Sequence, residues 1–190
     1  MRDPAKERAL AVVACGAGPA RHVNILVELA QRSGWGVRVI ATPSAMPFLD
    51  IRRLESATNI SVRSEQQWEE PTRGRQLPDV DSVIIAPATF NTINKLAAGI
   101  SDSYALTVVN DALGHGAPVV AVPFVNSDLA GRRPFRRSIE LLREDGVRVI
   151  FGEEDDWSPY LPGTGDERLS AFPWSRALTE AEGATVRRAP

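Results

Sequence analysis

Five short runs of apolar, largely β-branched residues recur along the chain, and they constrain its fold more than any other feature. The runs occupy residues 9–15, 36–42, 81–87, 117–123 and 146–151. Near-continuous apolar runs of this length are typical of strands that are buried on both faces. The sequence therefore predicts a parallel β-sheet in which these runs are the strands.

Helical patterns occupy intervals between these runs. Before the second run, apolar residues recur at helical spacing and are followed by a glycine that stops a helix: Val23, Leu26, Val27, Ala30 and Gly34. Before the fifth run, Ile139 and Leu142 follow the same spacing, and Gly146 ends the segment. Strand and helix in alternation predict an α/β fold, a Rossmann-like doubly wound parallel sheet in a single domain.

Two stretches lack such patterns. Residues 55–78 are polar and contain proline and glycine, so we expect a long loop there, with an edge strand at most. Residues 152–171 are rich in proline, glycine and acidic side chains, and we expect an irregular loop. A C-terminal helix at about residues 172–183, anchored by Trp174, would complete a single domain of residues 1–190 with its core at about 9–151.

Composition argues against several classes of protein. The chain of 190 residues has a formal net charge of −2 and scattered basic residues, which argues against a nucleic-acid partner. Its single cysteine, Cys15, excludes an internal disulfide framework and a cysteine-based zinc site. No apolar run reaches the roughly 18 residues of a membrane span, and the charged N-terminus lacks the apolar region of a signal peptide. We expect a cytoplasmic protein with no membrane partner and no metal.

The segments that follow four of the predicted strands are rich in small and hydrogen-bonding residues. They are residues 15–18, 42–44, 87–92 and 123–126. In open α/β sheets, ligands bind beyond the carboxyl ends of the strands. The convergence of these segments at one edge of the sheet therefore predicts a ligand site there.

The first of these segments is a weak nucleotide signal. Gly16 and Gly18 are not followed by a third glycine at the spacing of the dinucleotide motif. The second run ends in Thr42, so the acidic residue that would hold a ribose is also missing. Nicotinamide binding is therefore disfavoured. A tight strand-to-helix turn that needs glycine explains this segment equally well.

The third segment, PATFNT at residues 87–92, points to a phosphate-bearing ligand. Thr89, Asn91 and Thr92 lie just ahead of a helix that we place at about residues 93–98. Backbone N–H groups at a helix start lack intrahelical partners and accept a phosphate readily, and hydroxyl and amide groups add donors without charge. Simple N-capping needs one such residue, whereas three occur within four positions.

Residues 87–92 resemble the P-A-S-A-N-T flavin-binding motif of the homo-oligomeric flavin-containing cysteine decarboxylases. That family includes phosphopantothenoylcysteine decarboxylase and the epidermin-type peptidyl-cysteine decarboxylases. The following INKLAAGISDSYALTV is similar to the family's continuation, and PFVN at residues 123–126 resembles part of its P-x-M-N-x-x-M-W element. TPSAMPFLD resembles the segment after strand two that approaches the flavin, and CGAGPA stands where the family has a Gly-Ser-Ile turn. The likeness covers roughly residues 9–151.

This resemblance implies a protomer that binds FMN non-covalently, with FAD as the alternative flavin. It also implies trimers or multiples of trimers, with flavin at a subunit contact. The residues that it places at the flavin are Gly16, Ala17, Gly18, Thr42, Ser44, Phe48, Pro87, Ala88, Thr89, Phe90, Asn91 and Thr92. We further expect the rings of Phe48 and Phe90 to lie against the ligand rather than in the main core.

Three departures from the family pattern bear on activity. The family's catalytic histidine lies about fourteen residues before the proline of the motif, where this chain has a loop containing Arg73. The two histidines, His22 and His115, lie elsewhere, and the Met-Trp pair that follows the family's asparagine is missing after Asn126. The late loop also lacks the cysteine that donates a proton in the pantothenate enzymes, and Cys15 is a poor substitute because we expect it to be buried.

Two functional hypotheses follow. In the first, the chain oxidatively decarboxylates a peptidyl or small-molecule cysteine: Asn126 orients the substrate carboxylate, the flavin accepts the electrons, and the acidic late loop covers the site. In the second, it binds flavin as a partner or regulatory protein, because Arg73 stays protonated and cannot act as a general base. A flavin-modifying enzyme of the prenyltransferase type ranks last. The missing loop cysteine disfavours full phosphopantothenoylcysteine decarboxylation.

Overall fold

The computed structural model of the chain describes residues 8–64 and 79–186. In these ranges the strands are β1 (Arg8–Ala14), β2 (Trp35–Ala41), β3 (Ser82–Ala88), β4 (Val119–Pro123) and β5 (Arg148–Val149). The α-helices are α1 (Asn24–Arg32), α2 (Ile51–Thr58), α3 (Phe90–Ala97), α4 (Tyr104–Gly114), α5 (Ser127–Ala130), α6 (Arg133–Glu144) and α7 (Trp174–Val186). Short 3-10 helices cover Gly18–His22, Pro43–Phe48, Glu153–Asp155 and Gly165–Arg168.

The five strands form one parallel sheet in the order β2-β1-β3-β4-β5. In its register Val12 of β1 lies beside Val39 of β2 on one side and Ile84 of β3 on the other. The chain therefore runs outward from β1 to β2 and then returns to the opposite side of β1. The predicted Rossmann-like doubly wound parallel sheet is confirmed, and its topological switch point lies between β1 and β3.

Alternate side chains of each central strand enter two separate cores. Leu10 and Val12 of β1 face one core with α1, α2 and α7, whereas Ala11 and Val13 face the other with α3, α4 and α6. All four side chains are fully buried. Burial on both faces explains why β1 is a continuous apolar run in the sequence rather than an alternating one.

Two predicted helix stops are confirmed by backbone geometry. Gly34 after α1 has φ +77° and Gly146 after α6 has φ +84°, a left-handed conformation that glycine adopts without steric cost. Both glycines are followed closely by strands, β2 and β5. The helix-to-strand turns therefore lie where the sequence pattern placed them.

The prediction of an irregular segment over residues 55–78 is wrong at its start, because α2 extends to Thr58. This helix has a single buried residue, Leu54, so its sequence lacks a clear apolar stripe. Its ends define it instead: the side chain of Asp50 accepts a hydrogen bond from the Arg53 N–H, and Asn59 adopts a left-handed conformation. The predicted loop at residues 65–78 lies outside the described residues.

The late segment, residues 152–172, contains only short 3-10 helices among its turns and bridges. The following helix α7 begins at Trp174, whose ring is buried and lies 4.3 Å from that of Phe172, centroid to centroid. This contact fixes the start of α7 against the core that contains α1 and α2. No helix in the described ranges is long and apolar enough to cross a membrane.

Candidate functional site

A cavity of about 490 Å³ lies at the carboxyl edge of the sheet, beside the switch point between β1 and β3. Segments that follow β1, β2 and β3 line it, together with the start of α4. The lining residues are Gly16, Thr42, Pro43, Ser44, Thr89, Asn91, Thr92, Lys95, Asp102, Ser103 and Leu106. Six of them are residues that the sequence predicted to bind a flavin. Ligands in doubly wound sheets bind at this position.

Helix α3 begins at Phe90, three residues earlier than predicted, because Thr89 caps it. The Thr89 backbone is extended, with φ −90° and ψ 162°, and its hydroxyl oxygen accepts a hydrogen bond of 3.3 Å from the Thr92 N–H. Asn91 and Thr92 therefore lie within the first turn of α3 and not ahead of it. The N–H groups of this turn have no intrahelical acceptor, and they give this end of the cavity a partial positive charge.

The hydroxyl of Thr92 is directed into the protein as well as towards the helix cap. It lies 2.9 Å from the Thr89 hydroxyl and donates a 3.3 Å hydrogen bond to the sulfur of Cys15. Burial raises the pKa of the Cys15 thiol, an effect that the hydrogen bond from Thr92 only partly offsets. The thiol is therefore neutral at physiological pH, and it places no negative charge beneath the cavity.

The ends of β1 and β2 approach each other very closely at the cavity wall. A Cβ atom on Gly16 would lie 2.5 Å from the carbonyl oxygen of Ser44, far inside van der Waals contact. The hydroxyl oxygens of Thr42 and Ser44 are 3.2 Å apart. Glycine at position 16 is thus required by the packing of two loops, which accounts for it without reference to a ligand.

Charge at the cavity is confined to one ion pair at its rim. Lys95 at the end of α3 contacts Asp102 at 2.6 Å, between nitrogen and carboxylate oxygen. Ser103 caps α4 by accepting a hydrogen bond from the Leu106 N–H. The sequence analysis did not identify these residues as part of a site. Lys95 lies in α3, and Asp102 lies seven positions later in the segment between α3 and α4. This spacing matches the pattern of no single helix or strand.

The other predicted flavin residues do not line this cavity. Pro87 and Ala88 are buried within β3, and Phe48 is half-buried at the end of a 3-10 helix. The ring of Phe90 stacks on Phe135 of α6 at a centroid distance of 5.5 Å, and its placement against a ligand stays a prediction. Its packing belongs to the core of α3, α4 and α6.

The turn that follows β1 also continues away from the cavity. Ala17 is partly buried against the core that contains α1 and α7. A Cβ atom on Gly18 would lie 3.0 Å from the side chain of Leu169 in the late segment. Of the three residues that the resemblance places at the phosphate, only Gly16 lies at the cavity wall.

Asn126, the predicted substrate-orienting residue, lies beyond β4 and outside the cavity lining. Its side-chain oxygen accepts a 2.9 Å hydrogen bond from the Leu129 N–H and so caps α5. The late segment runs directly against it: the Ser127 N–H donates to the Tyr160 carbonyl, and the Tyr160 N–H donates to the Val125 carbonyl. Asn126 therefore lies where the late segment meets the sheet edge.

Aromatic side chains hold the late segment over the end of β4. The ring of Phe124 lies 4.6 Å from Tyr160 and 6.3 Å from Trp157, measured between centroids. The indole nitrogen of Trp157 donates a buried 2.8 Å hydrogen bond to the carbonyl of Pro123. Burial raises the pKa of the Tyr160 hydroxyl, which stays protonated.

Neither histidine of the chain lies at the cavity. His22 ends the 3-10 helix Gly18–His22. His115 is the C-terminal cap residue of α4, with its Nδ1 atom 2.9 Å from the Asp111 carbonyl and 77% of its side chain exposed. Arg73, at the position of the family's histidine, lies outside the described residues.

Comparison with known proteins identifies the family. The flavoprotein family model matches residues 2–179, which is most of the chain. The chain belongs to the flavoprotein family. The family resemblance carried by residues 87–92 is thereby confirmed.

Curated relatives with similar sequences include bifunctional enzymes of coenzyme A biosynthesis. The CoaBC protein of Thermococcus kodakarensis is 30% identical over 122 residues, which are 63% of this chain and 30% of that protein. The CoaBC protein of Bacillus subtilis is 31% identical over 127 residues, again 30% of its length. The chain thus matches less than a third of the length of these curated relatives.

Solved structures confirm the fold. TvaF, an FMN-dependent cysteine decarboxylase from thioviridamide biosynthesis, superposes with a TM-score of 0.75 at 24% identity, over 95% of this chain and 99% of that one. EpiD, an epidermin biosynthesis protein from Staphylococcus aureus, superposes with a TM-score of 0.64 at 26% identity. That match covers 75% of this chain and 81% of EpiD.

Proposed function

We propose that this flavoprotein binds FMN, with the phosphate group held in the cavity beside β1 and β3. The observation that carries the proposal is a neutral set of donors at the start of α3. The hydroxyls of Thr42, Ser44 and Thr89 and the amide of Asn91 line one cavity at the first turn of α3, whose N–H groups have no intrahelical acceptor. A phosphate is favoured at such a helix end.

The charges of the cavity support this assignment. Lys95 and Asp102 neutralise each other, and the Cys15 thiol stays protonated, so no unpaired carboxylate or thiolate opposes an anion. The strand order 2-1-3-4-5 places ligands at the switch point between β1 and β3, where this cavity lies. FMN is also the cofactor named for the structural neighbour TvaF.

An added carboxylate tests the phosphate site directly. Asn91 is exposed at the second position of α3, and Asn91→Asp would place a negative charge beside the bound phosphate. We expect this variant to bind FMN at least tenfold more weakly while the helix itself is stabilised by the acidic side chain. Ser175→Asp places the same charge at the second position of α7 and is the matched control.

The measurement is fluorescence titration of FMN into protein from which flavin has been removed. Mass spectrometry of the flavin released from the protein as isolated would distinguish FMN from FAD. Equal FMN affinity in Asn91→Asp and Ser175→Asp would show that the phosphate is not held at the start of α3. A protein that is colourless and has no affinity for added flavin would overturn the whole proposal.

We further propose oxidative decarboxylation of a cysteine at the end of a peptide or in a small molecule. The bound flavin would supply a two-electron acceptor, which oxygen then reoxidises. The substrate would lose its carboxyl carbon as carbon dioxide and two hydrogen atoms to the flavin, leaving an enethiol. Two of the superposing structures, TvaF and SpaF, are named FMN-dependent cysteine decarboxylases, which supports this reaction class.

In this reaction Asn126 would orient the substrate carboxylate. Its side-chain oxygen already accepts the Leu129 N–H, so its amide nitrogen remains to donate a hydrogen bond. Tyr160 and Trp157 of the late segment would cover the substrate and exclude water, because their rings pack on Phe124 at the same strand end. We also propose that the chain assembles as trimers or multiples of trimers, which sedimentation equilibrium would test.

Peptides that end in cysteine or in serine test the reaction. We expect only the cysteine peptide to lose carbon dioxide and two hydrogens, as seen by mass spectrometry. Asn126→Asp keeps an oxygen that caps α5 but repels a substrate carboxylate, so we expect the activity to fall at least a hundredfold with little change in melting temperature. Unchanged activity in Asn126→Asp would remove the role assigned to Asn126.

The second candidate is a flavin-binding protein without decarboxylase chemistry. It is favoured by the absence of a histidine from positions 23–114 and from the cavity lining. It would serve as a partner or regulatory subunit. A protein that retains FMN as isolated, yet leaves the cysteine peptide unchanged over prolonged incubation, would support this candidate over the enzyme.

A further inference from the structure

Four exposed arginines crowd the start of α6 in an arrangement that opposes the stability of the helix. Arg132, Arg133, Arg136 and Arg137 lie in its N-terminal cap and first two turns, and no acidic residue occupies the first turn. The N-terminal cap residue, Arg132, makes no side-chain capping bond. Positive side chains at the positive end of a helix dipole are unfavourable.

These arginines also differ from four other arginines of the chain, which form ion pairs. Arg53, Arg143, Arg148 and Arg176 each lie within 4.0 Å of a carboxylate. By contrast, within the described ranges none of the four arginines at the start of α6 (132, 133, 136 and 137) forms an ion pair or a side-chain hydrogen bond. The chain as a whole carries a net charge of −2, so the patch does not reflect a basic composition.

The patch surrounds a recess of about 320 Å³ lined by Arg133, Arg136, Arg137 and Glu140. Arg133 and the pair at 136 and 137 lie one helical turn apart, which separates their Cβ atoms by about 5–6 Å. Alternate residues of an extended peptide are about 6.6 Å apart, since each residue advances the chain by about 3.3 Å. Two acidic side chains at alternate positions of such a peptide therefore match the two rows of guanidinium groups.

The recess lies on α6, a short distance along the chain from the proposed substrate-orienting residue Asn126. Only five residues separate Asn126 from Arg132, and they form α5 and one further turn, in which the Arg132 N–H donates to the Leu129 carbonyl. Phe135, between the arginines, stacks on Phe90 at the first position of α3. A peptide with its terminal carboxylate at Asn126 would therefore extend along α6.

From these observations we infer that the arginine patch of α6 binds an acidic stretch of a peptide substrate, upstream of its reacting cysteine. The inference rests on the proposed function for the identity of the reacting residue. Glu140 limits the length of the acidic stretch that can bind, because its carboxylate at the next turn of α6 repels a further acidic side chain of the peptide. The favoured substrate thus carries two acidic residues at alternate positions, followed by a terminal cysteine.

The alternative occupant is the pair of exposed carboxylates of Glu153 and Glu154 on a second copy of this chain, at the start of the 3-10 helix Glu153–Asp155. Such a contact would explain the charge of the patch but not its position shortly after Asn126 in the chain. A peptide substrate explains both observations. The two occupants are separated by measuring peptide binding and assembly mass on the same variants.

The test uses the full-length flavin-loaded protein and two fluorescein-labelled peptides that end in cysteine. One peptide carries glutamate at two alternate positions upstream of the cysteine. The control peptide carries glutamine at the same two positions. The protein variants are the triple change Arg133→Gln, Arg136→Gln and Arg137→Gln, and a control triple of exposed arginines on other faces: Arg32→Gln, Arg38→Gln and Arg52→Gln.

We expect fluorescence anisotropy to show about tenfold tighter binding of the glutamate peptide to the wild-type protein, from two or three exposed ion pairs. This preference should disappear in the α6 triple variant, persist in the control triple, and weaken as salt is added. Equal affinity of both peptides for the wild-type protein would overturn the inference. So would a glutamate preference that survives in the α6 triple variant.

The decarboxylation assay separates this inference from the proposed function. Equal KM values for both peptides, with normal turnover, would overturn the inference and leave the function intact. If the glutamate preference in binding is retained but neither peptide loses mass, the proposed reaction is wrong and the inferred acidic-peptide surface stands. If the α6 triple variant has a lower mass by sedimentation and the wild-type protein binds both peptides equally, the patch binds a second copy of the chain. That result would overturn the inference.

Discussion

At the scale of single residues, Gly16 determines how closely the ends of β1 and β2 approach. A Cβ atom at this position would lie 2.5 Å from the Ser44 carbonyl oxygen, and the neighbours within 4 Å include backbone atoms that cannot move aside freely. We therefore expect Gly16→Ala to destabilise the protein by about 2 kcal/mol and to weaken flavin binding. Urea unfolding and FMN titration would measure the two effects.

Gly114 provides the control for that prediction. It is exposed in the last turn of α4, and a Cβ atom there would have no neighbour within 4 Å. Gly114→Ala should be neutral or stabilising by about 0.5–1 kcal/mol, because alanine favours a helix. If the two alanine variants unfolded at the same urea concentration, the close packing of Gly16 on Ser44 would not be limiting.

Cys15 makes a second prediction at the residue scale. It is fully buried, burial raises the pKa of its thiol, and Thr92 donates a hydrogen bond to its sulfur. We expect a thiol reagent such as dithiobis-nitrobenzoate to leave Cys15 unmodified in the folded protein at pH 7–8, and to react once urea unfolds the chain. Rapid modification under native conditions would contradict the neutral, enclosed thiol that the phosphate site requires.

At the scale of elements, Asp155 ties the late segment to β5 and α7. Its carboxylate, 5% exposed, receives hydrogen bonds from Arg148, Arg176 and the backbone N–H of Phe151. Arg148 also pairs with Glu180 of α7 at 3.0 Å. One acidic residue thus holds together β5, the late segment and α7.

We expect Asp155→Asn to destabilise the protein by roughly 2 kcal/mol at pH 7, because it leaves buried donors and positive charges without their carboxylate. Burial raises the pKa of Asp155, but the hydrogen bonds from Arg148 and Phe151 outweigh it, so the net pKa is lowered. Its stabilisation is therefore complete above the unfolded-state pKa of about 3.9 and is lost as the pH falls further.

The difference in free energy of unfolding between wild type and Asp155→Asn should accordingly shrink below about pH 4. Urea unfolding at several pH values would measure it. Asp156→Asn is the matched control, since Asp156 is exposed and asparagine tolerates its left-handed backbone at φ 50°. A destabilisation of Asp155→Asn that stays constant down to pH 3 would argue against the carboxylate as the stabilising group.

The observed helices and strands also show which parts of the fold can be predicted from the sequence alone. Strands buried on both faces have one pattern wherever they occur, so β1 to β4 were predicted nearly to their ends. Helix α2 was missed because only Leu54 is buried, and α3 was placed late because Thr89, not Asn91 or Thr92, caps it. Lys95 and Asp102 could not be assigned to the site, since their contact depends on the conformation of the segment between α3 and α4.

At the scale of the whole molecule, the order of the strands brings the residues of the site together. Gly16, Thr42 and Asn91 follow three different strands, and they share a cavity only because β1 lies between β2 and β3. The sequence could predict which strand ends carry donors. It could not show that the end of β4, with Asn126, lies outside the cavity beside the late segment.

Ligand binding to this assembled edge should stabilise the entire fold, because the cavity exists only when three strands are in register. At a free FMN concentration of 100 times Kd, binding stabilises the folded state by about 2.7 kcal/mol. For a chain of this size that corresponds to a rise in Tm of roughly 5–10 °C. Riboflavin, which lacks the phosphate, should raise the Tm much less at the same concentration, since the donors of α3 would remain unused. Differential scanning fluorimetry with both flavins measures the contribution of the phosphate, and equal shifts would place the binding energy in the ring and not at the start of α3.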